Sequence, residues 1–242
     1  MIYLAFIFGL VFGSFMNAII YRLKNGLPIS GRSFCPECKA KLKWYDLIPL
    51  LNFIWLRRRC RYCHKRISWQ YPAVEFMSGI LWFVIFYKNK FDFLNAGYEI
   101  LIFSALLVIA VYDARWKIIP DKVVYPAIAV ALTYNIFNAI AFPLFTALSA
   151  FLFFFAIYYF SKGKAMGLGD AKLAFLIGLF LGPWPALTAF ISAFIIGAAF
   201  GIILIWLGRK NLKSQIAFGP FLVLGAFLAF FFSDFIIKLL NF

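Results

Sequence analysis

Gly167-Leu168-Gly169-Asp170-Ala171-Lys172 places a carboxylate between two strongly apolar runs, residues 146–160 before it and 173–181 after it. Such runs read as membrane spans, and a carboxylate at the mouth of a span is costly enough to mark a functional site with a partner to be found. The two glycines allow a tight turn and the close approach of another segment.

The rest of the chain agrees with a membrane setting. Its 242 residues are 65% hydrophobic, 21% aromatic and only 14% charged, with a mean hydropathy of +0.91. A soluble domain needs more polar surface than this. Crossing a bilayer as helix takes roughly 17–25 apolar residues. Residues 2–21, 72–87, 98–112, 123–141, 144–160, 171–181, 184–207 and 217–240 qualify or come near it, which predicts an all-α polytopic membrane protein with about eight transmembrane helices. The sixth run is short and ends at Gly182-Pro183-Trp184-Pro185, a turn signal. The first lacks a basic start and a small-residue cleavage site, so it is expected to be retained as a span.

The net charge of +15 would suggest nucleic acid in a soluble chain. Here the basic residues sit in a few short loops. With the N-terminus outside, all but three of the 24 Lys and Arg (Lys88, Lys90 and Lys238) fall on the cytoplasmic side. Such a bias sets topology and leaves no case for a nucleic-acid partner. Residues 1–21 then form the first span, 22–71 a small cytoplasmic domain, and 72–242 the remaining transmembrane domain. Asp113 ends the third run and Asp170 begins the sixth, so both lie at the cytoplasmic face.

Two carboxylates brought together in a poorly hydrated site cannot both ionise easily; one keeps its proton while the other is charged. That pair can deprotonate a water and protonate an amide leaving group. A second reading stays open, in which Asp170 caps the sixth helix or pairs with Lys172. Asp121, after Ile119-Pro120, fits an N-cap. Glu75, three residues after Pro72, fits a first-turn acid favoured by the helix dipole. Glu99 and Asp234 read as interfacial groups, and Gly178, Gly197, Gly201 and Gly225 as close-packing positions.

All four cysteines fall in one pattern, Cys35-Pro36-Glu37-Cys38 and Cys60-Arg61-Tyr62-Cys63. Thiolates at i and i+3 clasp one edge of a tetrahedral metal, and two such clasps close a four-cysteine zinc site. A closed site leaves no position for water, so the zinc is expected to be structural, holding a loop too short to build its own core. Disulfides are disfavoured on the reducing side of the membrane. His64, the single histidine, reads as a solvated loop residue.

These pieces together resemble the bacterial type IV prepilin peptidases, bifunctional GxGD-type aspartic membrane proteases that cleave and N-methylate prepilin-like proteins. The resemblance rests on Gly13-Ser14-Phe15-Met16-Asn17 with Tyr21-Arg22-Leu23, and on the two Cys pairs enclosing Trp44-Tyr45-Asp46-Leu47-Ile48-Pro49-Leu50-Leu51. It continues through Tyr71-Pro72-Ala73-Val74-Glu75, Asp113 with Ile119-Pro120-Asp121, and Gly167-Leu168-Gly169-Asp170-Ala171-Lys172. It implies Asp113 and Asp170 as catalytic, with Gly167, Gly169, Lys172 and Asp121 in support. Lys172 or backbone N–H groups freed by the glycines are expected to steady the developing oxyanion.

The implied substrate is a prepilin or pseudopilin, cut after a glycine that ends a short basic leader at the inner-membrane face. The implied second reaction moves a methyl from S-adenosylmethionine to the new N-terminus, with Gly13, Asn17, Arg22 and Glu75 marking its region. Two rival classes remain to be weighed. A proton-coupled transporter predicts carboxylates near the bilayer midplane, and a non-catalytic scaffold predicts that the zinc loop matters while Asp170 does not.

Overall fold

A computed structural model describes residues 2–90, 92–209 and 216–239, with side chains through residue 232 in the last helix. Lys210 and Lys213, and the side chains of Asp234 and Lys238, lie outside the described residues. The regular structure of the described residues is helical: α1 (Ile2–Lys24), α2 (Leu51–Trp55), α3 (Gln70–Lys88), α4 (Phe93–Trp116), α5 (Asp121–Phe137), α6 (Phe142–Ser161), α7 (Leu168–Leu181), α8 (Pro183–Trp206) and α9 (Gly219–Leu239). A single 3-10 turn covers Trp44–Leu47.

The eight longer helices occupy the eight apolar runs with shifted ends. Four of them (α1, α4, α6 and α8) are long and apolar enough by themselves to cross a membrane. α4 starts at Phe93 rather than at 98, because Asp92 accepts the N–H groups of Leu94 and Asn95 (3.1 and 3.3 Å) and caps an earlier start. α5 stops at Phe137, where Asn138 and Ala139 turn the chain.

The chain divides into two compact units, Met1–Val108 and Ile109–Phe242. In the first, α1 and α3 pack closely. A Cβ at Gly13 would lie 2.6 Å from Glu75 Cα, and one at Gly9 would lie 2.7 Å from Ser78 O. Only a residue without a side chain permits that approach. Asn17 fixes the register, donating to Gly13 O (3.3 Å) and Tyr71 O (3.0 Å) and accepting from Gln70 Nε2 (3.2 Å). Glu99 finds a partner in Asn89 Nδ2 at 2.6 Å, which ties the α3–α4 turn to α4.

In the second unit α7 is the central element. Ala171, Leu173, Ala174, Leu176, Ile177, Gly178 and Leu179 are all buried, so this helix is enclosed nearly all round by its neighbours. At 14 residues it is about 21 Å long. Asn135 of α5 donates to Leu179 O at 2.9 Å, satisfying one of the carbonyls left open at the end of α7. Gly178 lets α7 meet Ala147 of α6, and Gly225 lets α9 meet Ala189 of α8; Gly197 and Gly201 have ordinary clearance. Gly182 (φ +73) makes the turn before Pro183 opens α8, as its sequence suggests.

Candidate active site and metal centre

Asp113 stands in the penultimate turn of α4 and is 4% exposed. Its Oδ2 accepts the backbone N–H of Gly219 at 2.9 Å across 106 residues of chain. That donor is free for a structural reason. Gly219 opens α9, Pro220 has no N–H, and the N–H groups of Phe221 and Leu222 turn back to Phe218 O (3.0 and 3.1 Å). The glycine is also the only residue type that fits, since a Cβ there would stand 2.7 Å from the same Oδ2.

Asp170 sits in the first turn of α7 and is half-buried. Its Oδ2 accepts the N–H of Gly167 at 3.1 Å, so the capping role foreseen for it is real. One oxygen stays uncommitted by that bond. Gly169 is tightly packed: a Cβ would meet the Ile119 side chain at 3.0 Å, so Ile119 would have to shift to admit one. Gly167 is not, because its φ of −83° suits any residue and the space beside it is open to 3.5 Å.

The remaining supports pair with one another. Lys172 Nζ meets Asp121 Oδ1 at 2.7 Å and lies 5.0 Å from the Tyr125 ring centre. Asp121 is the first residue of α5 and makes no cap. Its partner across 51 residues holds the start of α5 to the start of α7. The Lys172 ammonium is thus engaged by Asp121.

In the first unit the four cysteine sulfurs lie within 4.8 Å of one another, with Cys35 Sγ 3.9 Å from Cys63 Sγ. A disulfide needs ~2.05 Å, whereas thiolates ~2.3 Å from a tetrahedral zinc stand at about this separation. The donor set therefore fits zinc. Both clasps repeat one local design. Cys35 N bonds Ala40 O and Lys39 N bonds Cys35 O; Cys60 N bonds Lys65 O and His64 N bonds Cys60 O, all at 2.9–3.0 Å. The fourth position after each first cysteine is left-handed, Lys39 at φ 59° and His64 at φ 57°. His64 is thus the turn residue of its clasp, exposed to solvent.

Asp46 fastens the 3-10 turn to the second clasp through Arg61 Nε (2.8 Å), Tyr62 Oη (3.0 Å) and Lys43 N (3.1 Å). Burial pushes its carboxyl up, but these three donors and the Arg61 charge outweigh it and hold the group below the usual aspartate range.

Gly13, Asn17, Arg22 and Glu75 are all engaged within this unit. Gly13 and Asn17 set the α1–α3 contact. Buried Arg22 donates to the carbonyls of Pro28, Ile29, Gly31 and Arg32, which folds the chain after α1 around its guanidinium. Glu75 lies in the second turn of α3, past the first-turn position expected for it, and accepts Leu50 N–H at 3.0 Å.

Residues 7–89, which hold all four cysteines, match the Bacterial Peptidase A24 N-terminal domain. Residues 100–202, which hold Asp113 and Asp170, match the Type IV leader peptidase family. The chain belongs to that family. Among curated relatives named prepilin leader peptidase/N-methyltransferase, the Bacillus subtilis (strain 168) protein is 32% identical over 98% of this chain and 97% of its own. The Dickeya chrysanthemi protein is 32% identical over 88% and 86%, and the Klebsiella pneumoniae protein 34% over 75% and 85%. No solved structure matches. This leader peptidase is therefore an enzyme with apolar helices integral to a membrane, and the transporter and scaffold classes fall away. Gly219 lies beyond the matched residues. Its sequence signal was the Gly219-Pro220 pair, a helix-start dipeptide that the apolar run 217–240 concealed.

Proposed function

We propose that this leader peptidase cleaves the basic leader from prepilins or pseudopilins through an Asp113–Asp170 dyad at the cytoplasmic face of the bacterial inner membrane. The observation that carries the reading is the matched anchoring of the two aspartates. Each has Oδ2 held by a glycine N–H, Gly219 for Asp113 and Gly167 for Asp170, which leaves Oδ1 of each to engage water and substrate.

In this reading the dyad shares one proton around a water. The ionised aspartate takes a proton from the water as its oxygen attacks the scissile carbonyl. The protonated one then gives its proton to the departing amine, and no covalent intermediate forms. The eight longer helices are the spans, with the N-terminus outside, and the cysteine clasps hold structural zinc in the cytosol. After cleavage the new N-terminus receives a methyl from S-adenosylmethionine, a reaction we assign to the first unit.

The test is cleavage of a purified prepilin by the detergent-solubilised wild type, Asp113→Ala and Asp170→Ala, with product mass read in the presence and absence of S-adenosylmethionine. Loss of cleavage in both variants, with a methyl increment in wild type, supports the reading. Persistent cleavage in either removes the dyad.

A further inference from the structure

The segment between the two cysteine clasps carries a row of apolar side chains facing outward. Leu47 ends the 3-10 turn, and Leu51, Ile54 and Trp55 belong to α2, the short helix that follows it. All four are exposed, Ile54 at 71% and Trp55 at 82%. The opposite side of the segment is occupied: Asn52 is buried, and the Phe53 ring lies 5.0 Å from that of Trp69, with the Arg58 guanidinium 5.2 Å from the same ring. A row of this kind in water would be an aggregation liability, and its usual meaning is a binding surface.

What covers it follows from depth. Leu50 N–H is bonded to Glu75, and Glu75 Cα lies against Gly13 of α1. Arg22, the basic residue that closes the apolar stretch of α1, follows Gly13 by nine residues, about 14 Å of helix rise. The Glu75 side chain leans back toward the start of α3, by no more than its own length. Leu50 therefore sits inside the level of Arg22, between it and Gly13, at the shallow depth that interfacial helices reach, ~5–10 Å. The segment then leaves through Arg57-Arg58-Arg59. Arg57 and Arg58 have positive φ (46° and 62°), and Arg57 and Arg59 are exposed. Apolar residues below, a Trp at the boundary and a cationic exit form the pattern of a membrane-interface element.

We propose that residues 47–56 are a shallow re-entrant element whose Leu47–Leu51–Ile54–Trp55 face contacts the acyl chains of the same leaflet that α1 and α3 enter. The region 22–71 is then not wholly cytosolic. Its two metal clasps stand in water while the chain between them dips into lipid.

The test uses the full-length protein in nanodiscs of phosphatidylcholine, with or without bromine near the middle of the acyl chains. The Trp55 emission is taken as the difference between wild type and Trp55→Phe. The expected result is that bromine quenches this component, while iodide in the water leaves it unchanged. Quenching by iodide and not by bromine overturns the proposal in favour of a solvated loop. A component that bromine does not reach, and that shifts only when a prepilin is added, overturns it in favour of a protein-docking surface. Circular dichroism and cysteine-bound zinc measured on Trp55→Phe establish that the subtracted protein is folded.

Discussion

The cysteine clasps and the aspartate pair are held by opposite means. Each clasp closes within six residues, through backbone hydrogen bonds and a left-handed turn residue of its own, and the four sulfurs lie within 4.8 Å of one another. Asp170 is held partly by its own turn, through Gly167 N–H three residues away, but Asp113 has no such local frame. Asp113 is oriented by a glycine 106 residues away, and the start of α7 by an ion pair spanning 51 residues. Their geometry exists only when α4, α5, α7 and α9 are packed. The cysteine cluster is assembled from sequence neighbours, whereas Asp113 draws its donor from a helix terminus that the fold brings near.

The contrast implies that remote substitutions hurt the dyad more than the clasps. Gly219→Ala drives a methyl into Asp113 Oδ2, and misplacing a catalytic group by about 1 Å costs roughly 100-fold in rate. We expect kcat for cleavage to fall by about that factor with KM little changed and the metal retained. Measured turnover within a few-fold of wild type would show that the Gly219 contact is dispensable.

Next in size is loss of the metal. Cys35→Ser or Cys60→Ser removes one of four thiolates, and because metal binding is folding free energy for such a loop, bound zinc measured by mass spectrometry should fall well below one per chain. Unit 2 should keep its helical content and a substantial part of its cleavage. Equal collapse of both units would contradict their independence.

The Asp121–Lys172 pair should matter less. Partly exposed ion pairs contribute ~0–1 kcal/mol, so Asp121→Asn is expected to slow cleavage by no more than about five-fold, and the swapped pair Asp121→Lys with Lys172→Asp to recover part of it. A total loss in Asp121→Asn, unrescued by the swap, would move Asp121 into the chemistry.

The smallest effect belongs to Asp46. Its carboxyl is held below the ordinary range, so it stabilises the clasp region above the unfolded-state value and loses that contribution as pH falls through the folded one. Asp46→Asn should therefore weaken thermal stability at neutral pH, and the gap from wild type should close as the solution is acidified toward the aspartate range. A gap that widens on acidification contradicts this.

How far the sequence could be read follows the same division. The grouping of Cys35, Cys38, Cys60 and Cys63 was legible because it depends on local spacing, and the cap at Asp170 because it lies within its own turn. Asp113 as partner needed the family resemblance. Gly219 escaped notice because nothing local to it announces a carboxylate on another helix, and hydropathy ran straight across it. The Lys172 ion pair and the Glu75–Leu50 bond were equally invisible, each being set by packing between distant segments. The apolar runs gave helix identity well but not helix ends, which Asp92 and Asn138 decide by hydrogen bonding.

The most direct measurement offers Asp113→Asn and Asp170→Asn two substrates, an intact prepilin and a leaderless pilin peptide with S-adenosylmethionine. Removing one half of an acid–base pair costs about 100- to 10,000-fold, so both variants should fail to cut the prepilin. Both should still methylate the leaderless peptide at a rate near wild type, since that reaction is assigned to the other unit. Cleavage that survives in either variant contradicts the dyad. Methylation lost together with cleavage contradicts the separation of the two units.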